Sequence, residues 1–303
     1  MARIEYGLRI PAVHPADPSE LRLFVTRAEE LGFKSIWVGD HVFYRVDVLD
    51  PLQLLTWVAA QTTRVRLGTA VMLSAYRNPV LLARAAATLD RLSDGRLILG
   101  MSIGGTPAEY SSIGVPIEQR LGRLLESIEI MRRLWRTDGV IYDGRYQKIT
   151  DGSINPKPVQ LGGVPIYLGG IREPMLRRVA RVADGWIASA GPIDSFLAGV
   201  QLIRDAAEAH QRDPGTLAFA KLQGISVAST AAAAREQGER HWKSYYGPNF
   251  NIDAATIYGT PDDCRKGLAA FENAPCDEVT LVLEPAGLAL GQLEQLAEIT
   301  TLS

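Results

Sequence analysis

The sequence predicts an α/β fold of the (β/α)8 barrel class, also called a TIM barrel. Eight short apolar segments with strand character alternate with amphipathic segments of helical period along the chain. The strand segments are continuous apolar runs, which is typical of parallel strands buried on both faces. No linker divides the 303 residues. Eight βα units in one uninterrupted chain favour a closed barrel over a doubly wound sheet, so we expect a single domain over 1–303.

The clearest βα unit lies at residues 65–105. An apolar strand is predicted at 65–73. Asn78 followed by Pro79 predicts a helix start, because asparagine caps free N–H groups and proline has no helical hydrogen bond to lose at that position. The turn at Asp94 and Gly95 ends this helix, and a second buried strand is predicted at 96–103. Two successive strands joined by a helix are expected to be parallel.

The other elements follow the same two periodicities. The first helix, for example, has Leu21, Phe24 and Ala28 at helical spacing and is stopped by Gly32. The remaining strands are expected at 4–10, 35–39, 166–168, 185–188, 217–227 and 278–283. The remaining helices are expected at 18–31, 52–61, 116–136, 173–182, 193–210, 261–271 and 288–299.

Two stretches are longer than a minimal barrel needs, one near 140–163 and one near 231–259. The first is rich in turn residues, and the second starts with helical character and then becomes aromatic and glycine-rich. Long insertions in such barrels usually lie above the active face. We therefore expect lids or pocket walls here and not additional domains.

Composition and charge exclude several classes of function. Hydrophobic residues make up 47% of the chain and the net charge is −2, which is ordinary for a soluble enzyme. No run of lysine and arginine predicts a nucleic-acid partner, and no stretch reaches the roughly 18 apolar residues of a membrane span. The N-terminal segment does not resemble a signal peptide, and Cys264 and Cys276 lack metal-ligand spacing. We expect a cytoplasmic protein with two reduced thiols.

Polar and small residues follow predicted strands at the face where barrels of this class form their active sites. Asp40 and His41 come directly after the second strand, and a histidine there can bond a cofactor or substrate and titrates near neutral pH. Gly104 and Gly105 close the fourth strand, where free backbone N–H groups suit a cofactor. The alternative is a histidine satisfied by its own loop and glycines that only turn the chain.

A second glycine pair, Gly169 and Gly170, closes the fifth strand just before the helix predicted from Glu173. Backbone N–H groups at a helix N-terminus attract an anion such as the phosphate of a flavin. The chain has no zinc-binding spacing, Walker loop or GxGxxG fingerprint. These absences favour a barrel enzyme whose chemistry is supplied by a bound organic cofactor.

The chain resembles the bacterial luciferase-like superfamily, whose barrels bind FMN or the deazaflavin coenzyme F420. The resemblance rests on segments that keep their order over most of the chain. They include AEELGFKSIWVGDH (28–41), TTRVRLGTAVML (62–73), NPVLLARAAATLDRLSDGRLILG (78–100), EYSSIGVPIEQRLGRLLE (109–126), PIYLGG (165–170) and YGTPDD (258–263).

The resemblance implies a cofactor ring lying at the strand ends, with His41 as the catalytic residue. It also implies that the bond between Ala70 and Val71 is a non-proline cis peptide behind the ring. The cofactor-binding residues that it implies are Asp40, Ala70, Val71, Gly104, Gly105, Gly169, Gly170 and Ile171.

Asp40–His41 and the segment LSDGRLILGMSIGG (92–105) look more like the F420-dependent subgroup than like the alkanal luciferases. This resemblance implies hydride transfer between F420 and a small organic substrate, with His41 assisting the proton balance. One alternative is an FMN-dependent two-component monooxygenase, and another is a non-catalytic flavin-binding protein. A homodimer is expected, with a separate flavin or F420 reductase to supply reduced cofactor. Glucose 6-phosphate is not expected as the substrate, because Gly105 stands where the sugar-phosphate dehydrogenases of the subgroup carry an acid.

Overall fold

The computed structural model describes residues 1–12 and 17–301 and confirms the predicted (β/α)8 barrel. Eight parallel strand positions close into a ring, because the last strand pairs with the first. In ring order they are β1 (Arg3–Arg9), β2 (Ser35–Val38), β3 (Arg66–Thr69) continued by β4 (Met72–Leu73), β5 (Leu97–Ser102), β8 (Ile166–Gly169), β9 (Gly185–Ala188), β10 (Ala218–Val227) and β12 (Glu278–Pro285). Three further strands lie outside this ring: β6 (Val140–Asp143), β7 (Lys148–Gly152) and β11 (Thr256–Gly259).

Helices surround the ring and follow the predicted order. They are α1 (Pro18–Glu30), α2 (Pro51–Gln61), α3 (Pro79–Leu92), α4 (Pro107–Ser112), α5 (Arg120–Arg136), α6 (Glu173–Val182), α7 (Ile193–Ala209), α8 (Ala231–Tyr246), α9 (Ile252–Ala255), α10 (Pro261–Ala269) and α11 (Leu290–Ile299). The predicted start at Asn78 is confirmed, because its side chain accepts bonds from two backbone N–H groups of α3. Across the described residues, no helix has both the length and the apolar character needed to cross a lipid bilayer.

Three elements differ from the sequence prediction. The strand predicted at 65–73 is interrupted, because the Ala70–Val71 peptide bond is cis and separates β3 from β4. The helix predicted from 116 begins at Arg120, since residues 117–119 form a tighter 3-10 turn. Helix α4 has six residues, too few to show a helical period in the sequence.

The two insertions contain regular structure. The first holds an antiparallel hairpin of β6 (Val140–Asp143) and β7 (Lys148–Gly152), which packs against α5. The second holds α8, α9 and β11 (Thr256–Gly259), and β11 pairs with the second half of β10. Helix α8 reaches the C-terminal ends of the barrel strands, since Tyr245 contacts Arg9 at the end of β1. The second insertion therefore covers part of the barrel mouth.

The lower half of the barrel interior is filled by side chains. Trp37 of β2 is its largest member and is 1% exposed. The cluster also contains Ile98, Tyr167, Ile187, Ala220, Leu222 and Val282, and Ala70 and Val71 pack against it. A larger apolar cluster fills the space between the sheet and the helices. The centre of the barrel is thus a packed core and not a channel.

Candidate functional site

The barrel mouth has two sides, which differ in their side chains. We call one the glycine side, formed by the ends of β2, β3–β4, β5 and β8, which carry Gly104, Gly105, Gly169 and Gly170. We call the other the ion-pair side, formed by the ends of β1, β10 and β12 under helix α8, which carry Arg9 and Glu284. Both sides are made from parallel strand ends, so the contrast lies in the residues that follow each strand.

On the glycine side, Val71 and Gly169 face each other across a narrow gap. A Cβ added at Gly169 would lie 3.0 Å from Cγ1 of Val71, which leaves no room for a larger residue. The backbone of Ala70 is fixed to strand β2, because its N–H donates to the carbonyl of Val38 at 2.7 Å. The structure therefore brings together the predicted residues Ala70, Val71 and Gly169 as one smooth wall.

A glycine is required at position 105 both by the neighbouring side chain and by the backbone conformation. Its φ is +103°, and an added Cβ would lie 1.7 Å from the phenol oxygen of Tyr76. The neighbouring Gly104 has more room, since the nearest atom to an added Cβ there is a Leu73 methyl at 3.2 Å. The two predicted glycines thus lie beside the same wall, and Gly105 also lets Tyr76 approach the mouth.

Gly170 and Ile171 precede helix α6, as predicted. No side chain among the described residues caps the first N–H groups of α6, unlike those of α2, α3 and α4. The side chain of Ile171 is exposed, and the carbonyl of Gly170 accepts a bond from Nε1 of Trp186 at 2.8 Å. An uncapped helix start beside a smooth wall fits the phosphate and the flat ring of a flavin-like cofactor.

Asp40 has a different environment from the one predicted. Its carboxylate is buried and accepts bonds from the N–H of Leu73 at 2.9 Å and from Arg77 at 2.5 and 3.2 Å. Both oxygens are therefore bonded to the chain itself. Asp40 fixes the loop after β2 against β4 and so positions its neighbour His41.

Glu109 is the residue that most closely organises this loop, and no sequence pattern assigned it to the site. Its carboxylate is fully buried and accepts backbone N–H groups of Val42 at 2.8 Å, Phe43 at 3.2 Å and Thr106 at 2.8 Å. Burial alone would raise the pKa of Glu109, but these backbone bonds outweigh it and lower the pKa to about 2. The carboxylate is thus ionised at neutral pH.

Glu109 also orients His41. Nδ1 of His41 lies 3.4 Å from Oε1 of Glu109, and an ionised carboxylate can only accept a proton there. This assigns the N–H to Nδ1 and leaves Nε2 of His41 as the basic atom of the ring. The ring is also stacked on Tyr44, with centroids 3.8 Å apart and planes 12° from parallel. His41 is therefore held in one orientation by two neighbours.

On the ion-pair side, Arg9 and Glu284 form a buried pair. Nη1 of Arg9 lies 2.8 Å from Oε1 of Glu284, and the two side chains are 4% and 1% exposed. Nη2 of Arg9 donates to the phenol of Tyr245 at 2.6 Å, and His241 lies 3.7 Å from the Glu284 carboxylate. Burial would raise the pKa of Glu284, but the charge of Arg9 lowers it. Helix α8 is thereby joined to the first and last strands.

The outer edge of the mouth is open and partly apolar. Val42, Phe43, Tyr44, Arg45 and Thr106 line a hollow of about 490 Å³, and Phe43 is 56% exposed. A hollow of this size and character suits a small organic molecule. Within 1–12 and 17–301, no group of histidine, cysteine, aspartate or glutamate is placed to hold a metal ion.

The sequence contained a signal for Glu109, because Thr106 and Glu109 form the T-x-x-E pattern of a capping box that starts α4. Arg9 and Glu284 gave no comparable signal. Arg9 is in the first strand and Glu284 in the last, so the two come into contact only when the barrel closes. Strand alternation places both on the interior face, but it does not pair them.

Comparison with known proteins adds independent information. The family model described as luciferase-like monooxygenase matches residues 5–248. The F420-dependent glucose-6-phosphate dehydrogenase of Kineococcus radiotolerans is 34% identical over 210 residues, which cover 66% of this chain and 61% of that protein. The chain thus spans about three fifths of the length of this curated relative.

Two solved structures show the same fold. An F420-dependent secondary alcohol dehydrogenase in complex with an F420–acetone adduct has a TM-score of 0.85 and 18% identity, and the match covers 98% of both chains. A monooxygenase from Streptomyces bottropensis has a TM-score of 0.82 and 23% identity, over 98% of this chain and 97% of that one. At this level of identity the likeness is one of architecture.

Proposed function

Because this chain belongs to the luciferase-like monooxygenase family, we propose that it is an oxidoreductase that uses coenzyme F420 as its hydride carrier. The observation that carries the proposal is the Glu109–His41 pair beside the smooth wall of Val71 and Gly169. The wall offers a surface for a flat ring, and His41 offers one oriented base at its edge. The name of the relative from Kineococcus supports F420 over other carriers.

When bound, a deazaflavin accepts or gives a hydride at its ring, so the protein must hold the substrate and handle one proton. In the direction of oxidation, a bound cofactor would take up the hydride from the C–H bond of the substrate. The O–H bond also breaks, a C=O bond forms, and Nε2 of His41 takes the proton. The ionised Glu109 stabilises the imidazolium that results, as a carboxylate does in other oriented histidine bases.

We assign the cofactor site to the residues that the sequence predicted. Ala70, Val71 and Gly169 support the ring, and Gly104 and Gly105 lie at its edge. Gly170 and Ile171 lead to the uncapped start of α6, where a phosphate would be held. Asp40 contributes by holding the loop that carries His41.

An FMN-dependent two-component monooxygenase is the second candidate. The likeness to a Streptomyces bottropensis monooxygenase favours it, since one barrel shape accommodates either ring. It would require a separate reductase to deliver reduced FMN. A non-catalytic flavin-binding protein is the third candidate, and it requires the wall but not an oriented base.

A fluorescence titration of the purified protein with F420 and, separately, with FMN tests these candidates. We expect F420 to bind with a micromolar or lower dissociation constant, which corresponds to about −8 kcal/mol or stronger. Binding of FMN without binding of F420 would overturn the proposal. The variant His41→Ala should retain F420 binding and lose at least about 100-fold in turnover. If wild-type protein binds F420 but turns over no alcohol or carbonyl compound, the binding-protein alternative gains support.

We extend the proposal to partners and location. The substrate is a small molecule that enters through the hollow next to Phe43, and the chain works as a homodimer in the cytoplasm. An F420 reductase or dehydrogenase elsewhere in the cell returns the cofactor to its starting state. Size-exclusion chromatography with light scattering would test the dimer directly.

A further inference from the structure

The open hollow at the outer edge of the barrel mouth is lined by one charged side chain, that of Arg45. The other lining residues are Val42, Phe43, Tyr44 and Thr106, and the hollow has a volume of about 490 Å³. These four side chains are apolar or neutral. The guanidinium of Arg45 is therefore the lining group that favours or repels a charged ligand.

Arg45 carries a free charge, in contrast to two other arginines at the mouth. Arg9 lies 2.8 Å from the carboxylate of Glu284, and Arg77 lies 2.5 Å from that of Asp40. Arg45 forms no ion pair and no hydrogen bond with any residue in the described part of the chain. An arginine without a counter-charge beside a hollow offers its N–H donors to an anionic ligand.

The guanidinium of Arg45 has a defined position. Its carbon lies 6.0 Å from the ring centre of Tyr44, and its Nη1 lies so close to Gly247, in the turn after α8, that an added Cβ there would overlap with it. The loop that carries Arg45 is also fixed, because two of its backbone N–H groups donate to Glu109. A positioned arginine loses less freedom when a ligand binds, which favours affinity.

The hollow lies next to the oriented base. Three of its lining residues donate backbone N–H groups to Glu109, the carboxylate that also orients His41. The ring of Tyr44, which lines the hollow as well, is 3.8 Å from the ring of His41 and 6.0 Å from the guanidinium carbon of Arg45. These two distances together place His41 and Arg45 within about 10 Å of each other. A small molecule can span this distance.

The charges at the hollow favour a carboxylate. Glu109, the acid beside the hollow, is fully buried, and its oxygens already accept backbone N–H groups. A cationic ligand would find no free carboxylate there and would be repelled by Arg45. A ligand carboxylate can accept two parallel bonds from the planar guanidinium. A phosphate dianion is matched less well, because a single cation lines the hollow.

We propose that Arg45 determines substrate specificity by binding the carboxylate of a small hydroxy acid, or of the corresponding oxo acid, whose hydroxyl or carbonyl group lies at His41. The proposal rests on the proposed function for the role of His41, whereas the carboxylate is bound by Arg45 alone. The charged acid should therefore bind more tightly than a neutral molecule of the same shape.

Secondary hydroxy acids and their amides test this specificity, because an amide keeps the shape of the acid without its charge. The acids run from 3-hydroxybutanoate to 6-hydroxyheptanoate, so that the span between hydroxyl and carboxylate varies. Isothermal titration calorimetry measures their binding to the purified protein with and without F420. We expect at least one acid to bind about tenfold more tightly than its amide. Equal affinities of acid and amide at every length, tighter binding of the amides, or no binding of any acid would overturn the proposal.

Variants assign the preference to the guanidinium. Arg45→Gln should bring the affinity for the preferred acid to within about twofold of that for its amide, and Arg45→Lys should keep part of the preference, since lysine retains the charge but not the fork. The matched control is Arg240→Gln, because Arg240 pairs with Glu236 on the exposed face of α8. A preference that survives Arg45→Gln, or that Arg240→Gln removes equally, would contradict the role of Arg45.

Turnover separates a failure of this specificity from a failure of the proposed function. In protein that binds F420, Arg45→Gln should raise KM for the preferred acid about tenfold with little change in kcat, because the carboxylate is remote from the reacting bond. If F420 does not bind but the acid is preferred over its amide, the proposed function fails and the carboxylate site is retained. If F420 binds and the acid and its amide are bound and oxidised equally well, the specificity assigned to Arg45 alone is wrong.

Discussion

The two sides of the barrel mouth carry different residues, although both are formed by the C-terminal ends of parallel strands. On the glycine side, four glycines and the small residues Ala70 and Val71 leave backbone at the surface of the strand ends. On the ion-pair side, the opposite charges of Arg9 and Glu284 are buried together under α8. The first side thus owes its shape to backbone and small residues, whereas the second is held together by an ion pair between β1 and β12.

The largest effect on stability is expected from removing one partner of the buried ion pair between Arg9 and Glu284. Glu284→Ala leaves the charge of Arg9 buried without its partner, so the free energy of unfolding should fall by about 3–5 kcal/mol. Urea denaturation followed by circular dichroism measures this change. Glu236→Ala is the control, since Glu236 pairs with Arg240 on the exposed face of α8 and its loss should change stability little. Equal losses in the two variants would contradict the burial argument.

On the glycine side, we expect the free energy of unfolding to depend on pH through the carboxyl group of Glu109. The pKa of this carboxyl is lowered from 4.5 to about 2, so it contributes stability above pH 4.5 that is lost as the pH falls towards 2. The contribution is of the order of 3 kcal/mol. Urea unfolding at a series of pH values should show this loss in the wild type and a smaller one in Glu109→Gln. Parallel profiles for the two proteins would mean that the backbone bonds do not hold the carboxylate.

A third test concerns the shape of the glycine side. Gly105→Ala places a Cβ against the phenol of Tyr76 and should cost about 2 kcal/mol or more, part of it from the backbone. Gly114→Ala is a matched control, because Gly114 has a φ of +68° and no atom within 4 Å of an added Cβ. The difference between the two free energies of unfolding isolates the contact with Tyr76. Equal costs would show that only backbone conformation matters at Gly105.

The smallest effect is expected at Tyr44, which lies between the two sides. Burial raises the pKa of Tyr44 to about 12, so its phenol is neutral at physiological pH. Tyr44→Phe keeps the ring that stacks on His41 and should change stability by less than about 0.5 kcal/mol. Turnover should also be unchanged, whereas Tyr44→Ala should reduce it by releasing His41. A large loss in Tyr44→Phe would point to a direct role for the phenol oxygen.

The sequence predicted the features that depend on neighbours in the chain. Strands such as β9 were placed correctly because they are buried on both faces and read as continuous apolar runs. His41 and the glycine pairs were predicted as site residues because they follow strands directly, and their role stays a prediction. The cis bond at Ala70–Val71, implied by the family resemblance, is confirmed.

The features that depend on distant contacts could not be predicted. Glu109 and His41 are 68 residues apart, and Arg77 reaches Asp40 from 37 residues away. Neither pair shows a pattern in the sequence, because each is brought together only when strands β2, β3, β4 and β5 pair in the sheet. The sequence likewise did not show that the carboxylate of Asp40 accepts bonds from Arg77 and from the N–H of Leu73.

The pairing of β1 with β12 has a consequence for the order in which the protein becomes complete during synthesis. Residues Arg3 to Leu8 pair with Glu278 to Leu283, so this seam joins segments made at very different times. Contacts of such long sequence separation form late, since a long loop must first be closed. We expect Val71 and Gly169 to come together in the nascent chain before Glu284 has been made and can pair with Arg9. The glycine side then forms early, and the ion pair of Arg9 and Glu284 forms only with the final strand.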